Sequence, residues 1–194
     1  MRVFIGIELT KPTKEALFDV QQQLIPASKK GRFTDKDNFH LTLQFIGETN
    51  QKEIEQLKNA VAETAAHSTA FKVSVETVDK FQKKNGLILW AGPKQTQPLL
   101  HLYDQLHTIM KKQAINIEKH PYTPHITLGR NIVWEKGKES SLLQSLVEPI
   151  PVKIDTLTLF ESVRVNGRLI YRPFMRYPLN NLDKTVERKE GRMI

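Results

Sequence analysis

Apolar positions along the first half of the chain switch between period two and a helical stripe. Residues 2–8 alternate and are rich in Val, Phe and Ile, which predicts a strand. Thr10 can cap a helix with Pro12 in its first turn, and Leu17, Val20 and Leu24 form its stripe until Pro26. Residues 27–37 are polar and basic, with Lys29, Lys30 and Arg32, and read as a loop. Residues 39–46 alternate again. Asn50 and Glu53 make a capping-box pattern before a helix carrying Ile54, Leu57 and Val61. Phe71, Val73 and Val75 alternate as the next strand.

The second half repeats this order. Residues 87–90 predict a strand, and Thr96 and Pro98 open a helix with Leu99, Leu102, Leu106 and Ile109 on one face. Residues 125–129 predict a strand. Ser140 begins a short helix with Leu143, Leu146 and Val147, and Val152, Ile154 and Leu157 begin a further strand. The offset is 86 from Pro12 to Pro98, 85 from His40 to His125 and 81 from Lys72 to Lys153. Each half thus reads strand, helix, strand, helix, strand, the pattern of an internal duplication. Two lobes related by an approximate twofold would set residues 40–43 and 125–128 facing each other across a groove. Asn166-Gly167 then signals a hairpin joining residues 155–163 to 169–175. Arg164, Arg168, Arg172 and Arg176 stud it, either as edge-strand protection or as phosphate ligands.

The facing strands carry the candidate chemistry. Residues 40–43 read His40-Leu41-Thr42-Leu43, and residues 125–128 read His125-Ile126-Thr127-Leu128. Side chains alternate along a strand, so each phrase presents an imidazole and a hydroxyl on one face and two apolar groups on the other. A lone strand histidine is an ordinary structural residue. A second copy of the phrase by chance has odds on the order of one in a hundred.

Composition narrows the classes. The 194 residues, 39% of them hydrophobic, suffice for one large domain or two joined lobes. Residues 181–194 are mostly charged and are expected to form a flexible tail beyond a single domain of residues 1–180. There is no cysteine, which excludes disulfides, thiolate metal sites and cysteine nucleophiles and suits a reducing cytoplasm. The N-terminal residues lack a signal-peptide layout, and no apolar run approaches the roughly 18 residues of a membrane span. A net charge of +8 and a pI of about 9.6 favour polyanionic partners, nucleic acid before membrane.

A catalytic zinc wants about three protein ligands. Each phrase offers one imidazole, threonine is a poor ligand, and the remaining histidines lack ligand spacing; no metal and no cofactor are expected. No G-x-S-x-G, P-loop or dinucleotide glycine pattern occurs. Paired acid–base catalysis remains. Imidazole titrates near pH ~6.5, so one histidine could be neutral and the other protonated at neutral pH. Displacement at phosphorus runs roughly in line, and two histidines across a groove could serve attacking and leaving oxygens. Thr42, Thr127 and Arg130 could hold the non-bridging oxygens.

The paired phrases resemble the motifs of the 2H phosphoesterases. With Phe39, Phe45-Ile46-Gly47, Pro124 and Arg130 around them, they resemble the RNA 2′,3′-cyclic phosphodiesterase branch, also called 2′-5′ RNA ligase-like. The opening residues 2–7 and the stretch from Gly167 to Pro173 are similar to it too. The resemblance implies an α+β, bilobal, duplicated fold with an antiparallel sheet and flanking helices in each lobe and the active-site groove between them. It implies hydrolysis of RNA 2′,3′-cyclic phosphate ends, or of cyclic nucleotides, to 2′-phosphates by a cytoplasmic monomer. His40 would be the general acid and His125 the general base, with Thr42, Thr127 and Arg130 binding phosphate and Phe4 bordering the nucleotide. The alternatives are 2′-5′ ligation of RNA ends in the same groove and a non-catalytic RNA- or nucleotide-binding module.

Overall fold

The computed structural model describes residues 1–94, 96–115, 117, 121–137 and 145–181. Nine strands and three α-helices lie within them, besides two short 3-10 helices: β1 (Arg2–Glu8), α1 (Lys11–Leu24), β2 (Ser28–Phe33), β3 (His40–Glu48), α2 (Gln51–Ala66), β4 (Phe71–Lys83), β5 (Gly86–Pro93), α3 (Gln97–Lys112), β6 (Ile126–Trp134), β7 (Ser145–Ile154), β8 (Thr156–Val165) and β9 (Arg168–Pro178).

The local signals act as expected at most ends. The Thr10 hydroxyl accepts from the Thr13 backbone N–H at the start of α1. Asn50 and Glu53 close a reciprocal capping box on α2. Asn166 and Gly167 both take positive φ, 50° and 78°, as a tight hairpin between right-twisted strands requires. Thr96 precedes α3 without a side-chain cap; its backbone carbonyl accepts from Leu100 N–H instead.

Two antiparallel sheets form an α+β fold, with strand orders β3-β1-β8-β9 and β2-β6-β5-β4-β7. The halves of the chain are not the lobes. In each sheet a histidine-bearing segment lies beside the first strand of its own half, and that strand pairs with a late strand of the other half: β3-β1-β8 and β6-β5-β4. Phe71 and Thr156, which open β4 and β8, are 85 residues apart, the same offset as the histidines. Lys72 and Lys153, matched above as repeats, are cross-strand partners in the β4–β7 ladder. The true counterparts were thus hidden by an adjacent strand of similar composition.

Three further expectations change. Residues 28–33 form a strand, not a loop; β2 is an edge strand paired with β6, and edge exposure explains its polar sequence. Residues 145–147 open strand β7 and not a helix, because pairing with β4 overrides a short helical stripe of three apolar positions; Ser140 and Leu143 lie outside the described residues. Val152 and Ile154 end β7, whereas Leu157 belongs to β8 in the other sheet. Residues 182–194 of the expected tail are likewise outside the described residues.

Each sheet turns one face to the core. Leu41, Leu43, Ile126 and Leu128 are buried, so the alternation predicted for both phrases holds. Helix α1 packs toward β7, where the Thr13 hydroxyl donates to Pro151 O at 3.0 Å. Buried Gln21 donates to Thr34 O and Leu128 O, both at 2.8 Å, tying α1 to the start of β6. Helix α2 packs on β8, β9 and α3. Gly6 lets β1 approach β3 beside the first phrase: a Cβ there would stand 2.6 Å from the Leu41 carbonyl oxygen. Gly6→Ala is expected to lower stability by roughly 1–3 kcal/mol, because backbone rather than a flexible side chain must move. The urea midpoint measures this loss.

Candidate active site

The two histidines sit at matching places and are held in the same way. His40 Nδ1 lies 2.7 Å from Asn38 O, and His125 Nδ1 lies 2.7 Å from Thr123 O, each the carbonyl two residues earlier. A carbonyl only accepts, so Nδ1 carries the proton in both rings and Nε2 is left without one in the neutral imidazole. Both imidazoles line one cavity of about 720 Å³, together with Thr42, Arg130, Phe45 and Arg164. The cavity lies between the two sheets, whose histidine strands β3 and β6 are in contact.

Aromatic rings fix each imidazole. His40 packs against Phe4 at 4.7 Å between centroids and edge-on to Tyr171 at 4.8 Å; Phe4 stacks on Phe160 at 4.7 Å. His125 meets Phe81 edge-on at 5.0 Å, and Phe81 stacks on Trp90 at 5.1 Å. Phe4 and Trp90 are 86 residues apart, the offset of the repeated prolines. That offset was the available signal for Trp90. Phe160, Tyr171 and Phe81 carried none, because strand pairing alone brings them in. Phe4 is 2% exposed and packs against the His40 ring at the cavity wall.

The oxygen-binding candidates differ in placement. Thr42 lines the cavity, half-buried. Arg130 is exposed, lines the same cavity, and its Nη2 stands 3.4 Å from the Thr127 hydroxyl. Thr127 thus adjoins the cavity through Arg130. The hairpin arginines divide. Arg176 forks onto Glu8 at 2.6 and 3.0 Å, and Arg172 stands 3.9 Å from Glu161, both in structural ion pairs. Arg164 faces the histidine cavity instead.

Two bracing residues escaped the sequence reading. Buried Asn38 donates through Nδ2 to Leu169 O at 2.7 Å and accepts through Oδ1 from Tyr171 N–H at 2.9 Å. It therefore docks β9 while its own carbonyl holds His40. Tyr122, three residues before His125, donates to Thr42 O at 2.9 Å and so joins the two phrases directly. Its ring stacks on Tyr103 at 4.3 Å, and burial raises its hydroxyl pKa, which keeps it a donor. Tyr122→Phe should lower turnover about tenfold by loosening the spacing between the histidines, while KM and the melting temperature change little. Steady-state kinetics and a thermal melt check this.

Electrostatics alter the expected protonation. Desolvation lowers the His40 pKa to about 4, with the charge of Arg130 adding to the effect against the Asn38 carbonyl. Desolvation and Arg130 also lower that of His125, against the Thr123 carbonyl. Both rings are therefore neutral near pH 7 in the free protein, in place of the one-charged, one-neutral pair expected. Among the described residues no group of three His, Asp or Glu could hold a metal ion. His67, His101 and His107 lie on or at the end of helices as predicted, and His120 lies outside the described residues. No helix among the described residues is long and apolar enough to cross a membrane.

Known proteins share this architecture. E. coli LigT in complex with 3′-AMP superposes with a TM-score of 0.76 at 24% identity, over 92% of this chain and 97% of LigT. A Thermus thermophilus structure, TT0787, gives 0.75 at 19%, over 94% and 100%. These likenesses establish the fold. In sequence, the chain is 25% identical over 174 residues to the RNA 2′,3′-cyclic phosphodiesterase of Thermotoga maritima, spanning 89% of this chain and 92% of that protein. It is 29% identical over 135 residues to the protein of the same name from Bacillus subtilis, spanning 69% and 73%. The family model of the 2′-5′ RNA ligase superfamily matches residues 15–166, which include both histidine phrases. With more than three quarters of its length matched, the chain belongs to the 2′-5′ RNA ligase superfamily.

Proposed function

We propose that the chain is an RNA 2′,3′-cyclic phosphodiesterase that opens cyclic phosphate ends to 2′-phosphates without a metal. The observation that carries this reading is the pair of imidazoles lining one cavity, each with Nδ1 occupied by a backbone carbonyl and Nε2 left for proton transfer. A pure binding module has no use for two matched acid–base groups held in this way. The names of its relatives point to the same activity.

His125 Nε2 takes a proton from water as its oxygen attacks phosphorus. The P–O3′ bond breaks in line, and His40 Nε2–H gives its proton to O3′. One water is consumed, and the product carries a 2′-phosphate and a 3′-hydroxyl. Arg130 and the Thr42 hydroxyl bear on the non-bridging oxygens, with Thr127 positioning Arg130. The bound phosphodiester brings a negative charge next to His40. That charge offsets Arg130 and raises the imidazole pKa, so the acid is loaded with substrate present. A 5′-hydroxyl in the place of water would form a 2′-5′ bond by the same steps, as a minor reaction against bulk water. The groove is built from one chain, which fits action as a monomer, and RNA ends as substrate fit a cytoplasmic location.

The test is the product of 2′,3′-cyclic AMP, identified by ³¹P NMR in the presence of EDTA. Adenosine 2′-phosphate is expected, at an undiminished rate. A 3′-phosphate would reverse the assignment of the leaving oxygen. Loss of activity on chelation, restored by zinc or manganese, would overturn metal-free catalysis.

A further inference from the structure

A second cavity of about 320 Å³ adjoins the histidine groove and shares Arg130, Leu169 and Tyr171 with it. Three arginines from three different strands meet there: Arg32 of β2, Arg130 of β6 and Arg168 of β9. Arg32 and Arg130 are direct partners in the β2–β6 ladder. Like charges opposite one another in a ladder are destabilising. No carboxylate of the described residues forms an ion pair with any of the three, whereas Arg172 and Arg176 on the same hairpin are paired. The one carboxylate in the cavity, Asp35, accepts from the Asp37 backbone N–H. Edge protection by basic residues would account for exposed Lys29 and Lys30 on β2 and for a lone arginine on the edge strand β9, but not for Arg130 of the interior strand β6 meeting arginines of β2 and β9 in the same hollow.

The hollow also has aromatic walls. Phe33 and Tyr171 are both partly exposed and line it. Its β9 wall is built in advance by the two hydrogen bonds of Asn38 to Leu169 and Tyr171. Convergent guanidinium groups match phosphate oxygens, and aromatic faces accept bases of any identity. A neutral or cationic ligand would leave the three arginines balanced only by Asp35.

We propose that this cavity is a subsite for the nucleotide adjoining the cyclic end of a single-stranded RNA. Arg32 and Arg168 hold the phosphodiester that links it to the terminal nucleotide, and Phe33 and Tyr171 provide stacking surface for its base. The inference rests on the cyclic phosphodiesterase reading of the histidine groove. Under it the protein is an enzyme for RNA ends rather than for free cyclic nucleotides.

The experiment compares 2′,3′-cyclic AMP with pentaadenylate ending in a 2′,3′-cyclic phosphate, using the full chain and the variants Arg32→Ala and Arg168→Ala. For the wild-type protein, kcat/KM should be at least about tenfold higher on the pentanucleotide. Each variant should lose about tenfold on the pentanucleotide, through KM, and stay within about twofold of wild type on cyclic AMP. The salt dependence of pentanucleotide kcat/KM should also become shallower, by about 0.7 in log–log slope for each phosphate no longer neutralised by an arginine. Unchanged turnover on cyclic AMP also shows that the variants are folded. Equal wild-type kcat/KM on both substrates, or variants that change both alike or neither, would overturn the subsite while leaving the cyclic phosphodiesterase reading intact. No wild-type turnover of either substrate would overturn that reading and the subsite with it.

Discussion

His40→Ala and His125→Ala are each expected to lower kcat on a 2′,3′-cyclic nucleotide by at least ~10²-fold, the usual contribution of a positioned acid or base. In the proposed mechanism the two rings act on one displacement, so their effects should not add. The double variant should fall little further than the slower single one. The pair can also be told apart. A p-nitrophenyl phosphodiester has a leaving group that departs without a proton. It should restore turnover to the variant lacking the acid, His40→Ala, and not to His125→Ala. Stability must be read alongside. His40 packs among Phe4, Phe160 and Tyr171, and its loss leaves the Asn38 carbonyl without its imidazole donor. A lower melting temperature is therefore expected for His40→Ala, with His125→Ala less affected. Near-wild-type turnover by either folded variant would refute the two-histidine mechanism.

The second large effect is on pH dependence. In the free protein, burial and Arg130 lower both imidazole pKa values, that of His40 to about 4. The proposed reaction needs one proton on the pair, and kcat/KM reports the free enzyme. A cyclic phosphodiester stays a monoanion throughout this range. The alkaline limb of kcat/KM should therefore lie below pH ~6.5, the ordinary imidazole value. Above it the rate constant should fall about tenfold per pH unit, or ~10²-fold over two units. The limbs belong to the coupled pair. The corresponding limb of kcat should lie higher, because bound phosphate favours the imidazolium. A kcat/KM profile flat from pH 6.5 to 8.5 would contradict this. Stability moves with the same proton. Between about pH 4 and 6.5 the unfolded chain binds a proton at residue 40 that the folded chain excludes. Stability thus falls as pH drops through that window, and is fully retained above it. The loss from this one group is on the order of 3 kcal/mol. Denaturant midpoints at pH 7 and pH 4.5, for wild type and His40→Ala, measure it; the variant should be the less pH-sensitive.

Local order was written plainly in the chain. The alternation around His40-Leu41-Thr42-Leu43 and His125-Ile126-Thr127-Leu128 put both imidazoles opposite a buried apolar pair, because a strand has only two faces. The capping box at Asn50 and the Asn166-Gly167 turn also act over three or four residues, within reach of sequence pattern. The repeat itself was legible as an offset of 85 or 86. Tertiary structure alone decided which strands neighbour which. It sent β4 beside β5 and β8 beside β1, exchanging strands between the halves, and turned Lys72 and Lys153 into partners across a ladder. It made residues 28–33 a strand by supplying β6 as their partner, and so opposed Arg32 to Arg130. It brought Phe160 and Tyr171 to His40 from more than 100 residues away, and Tyr122 to Thr42 from 80. The protonation of the two histidines was decided there too. An imidazole titrates near neutrality in water, and only burial beside Arg130 in the folded groove makes both of these rings neutral.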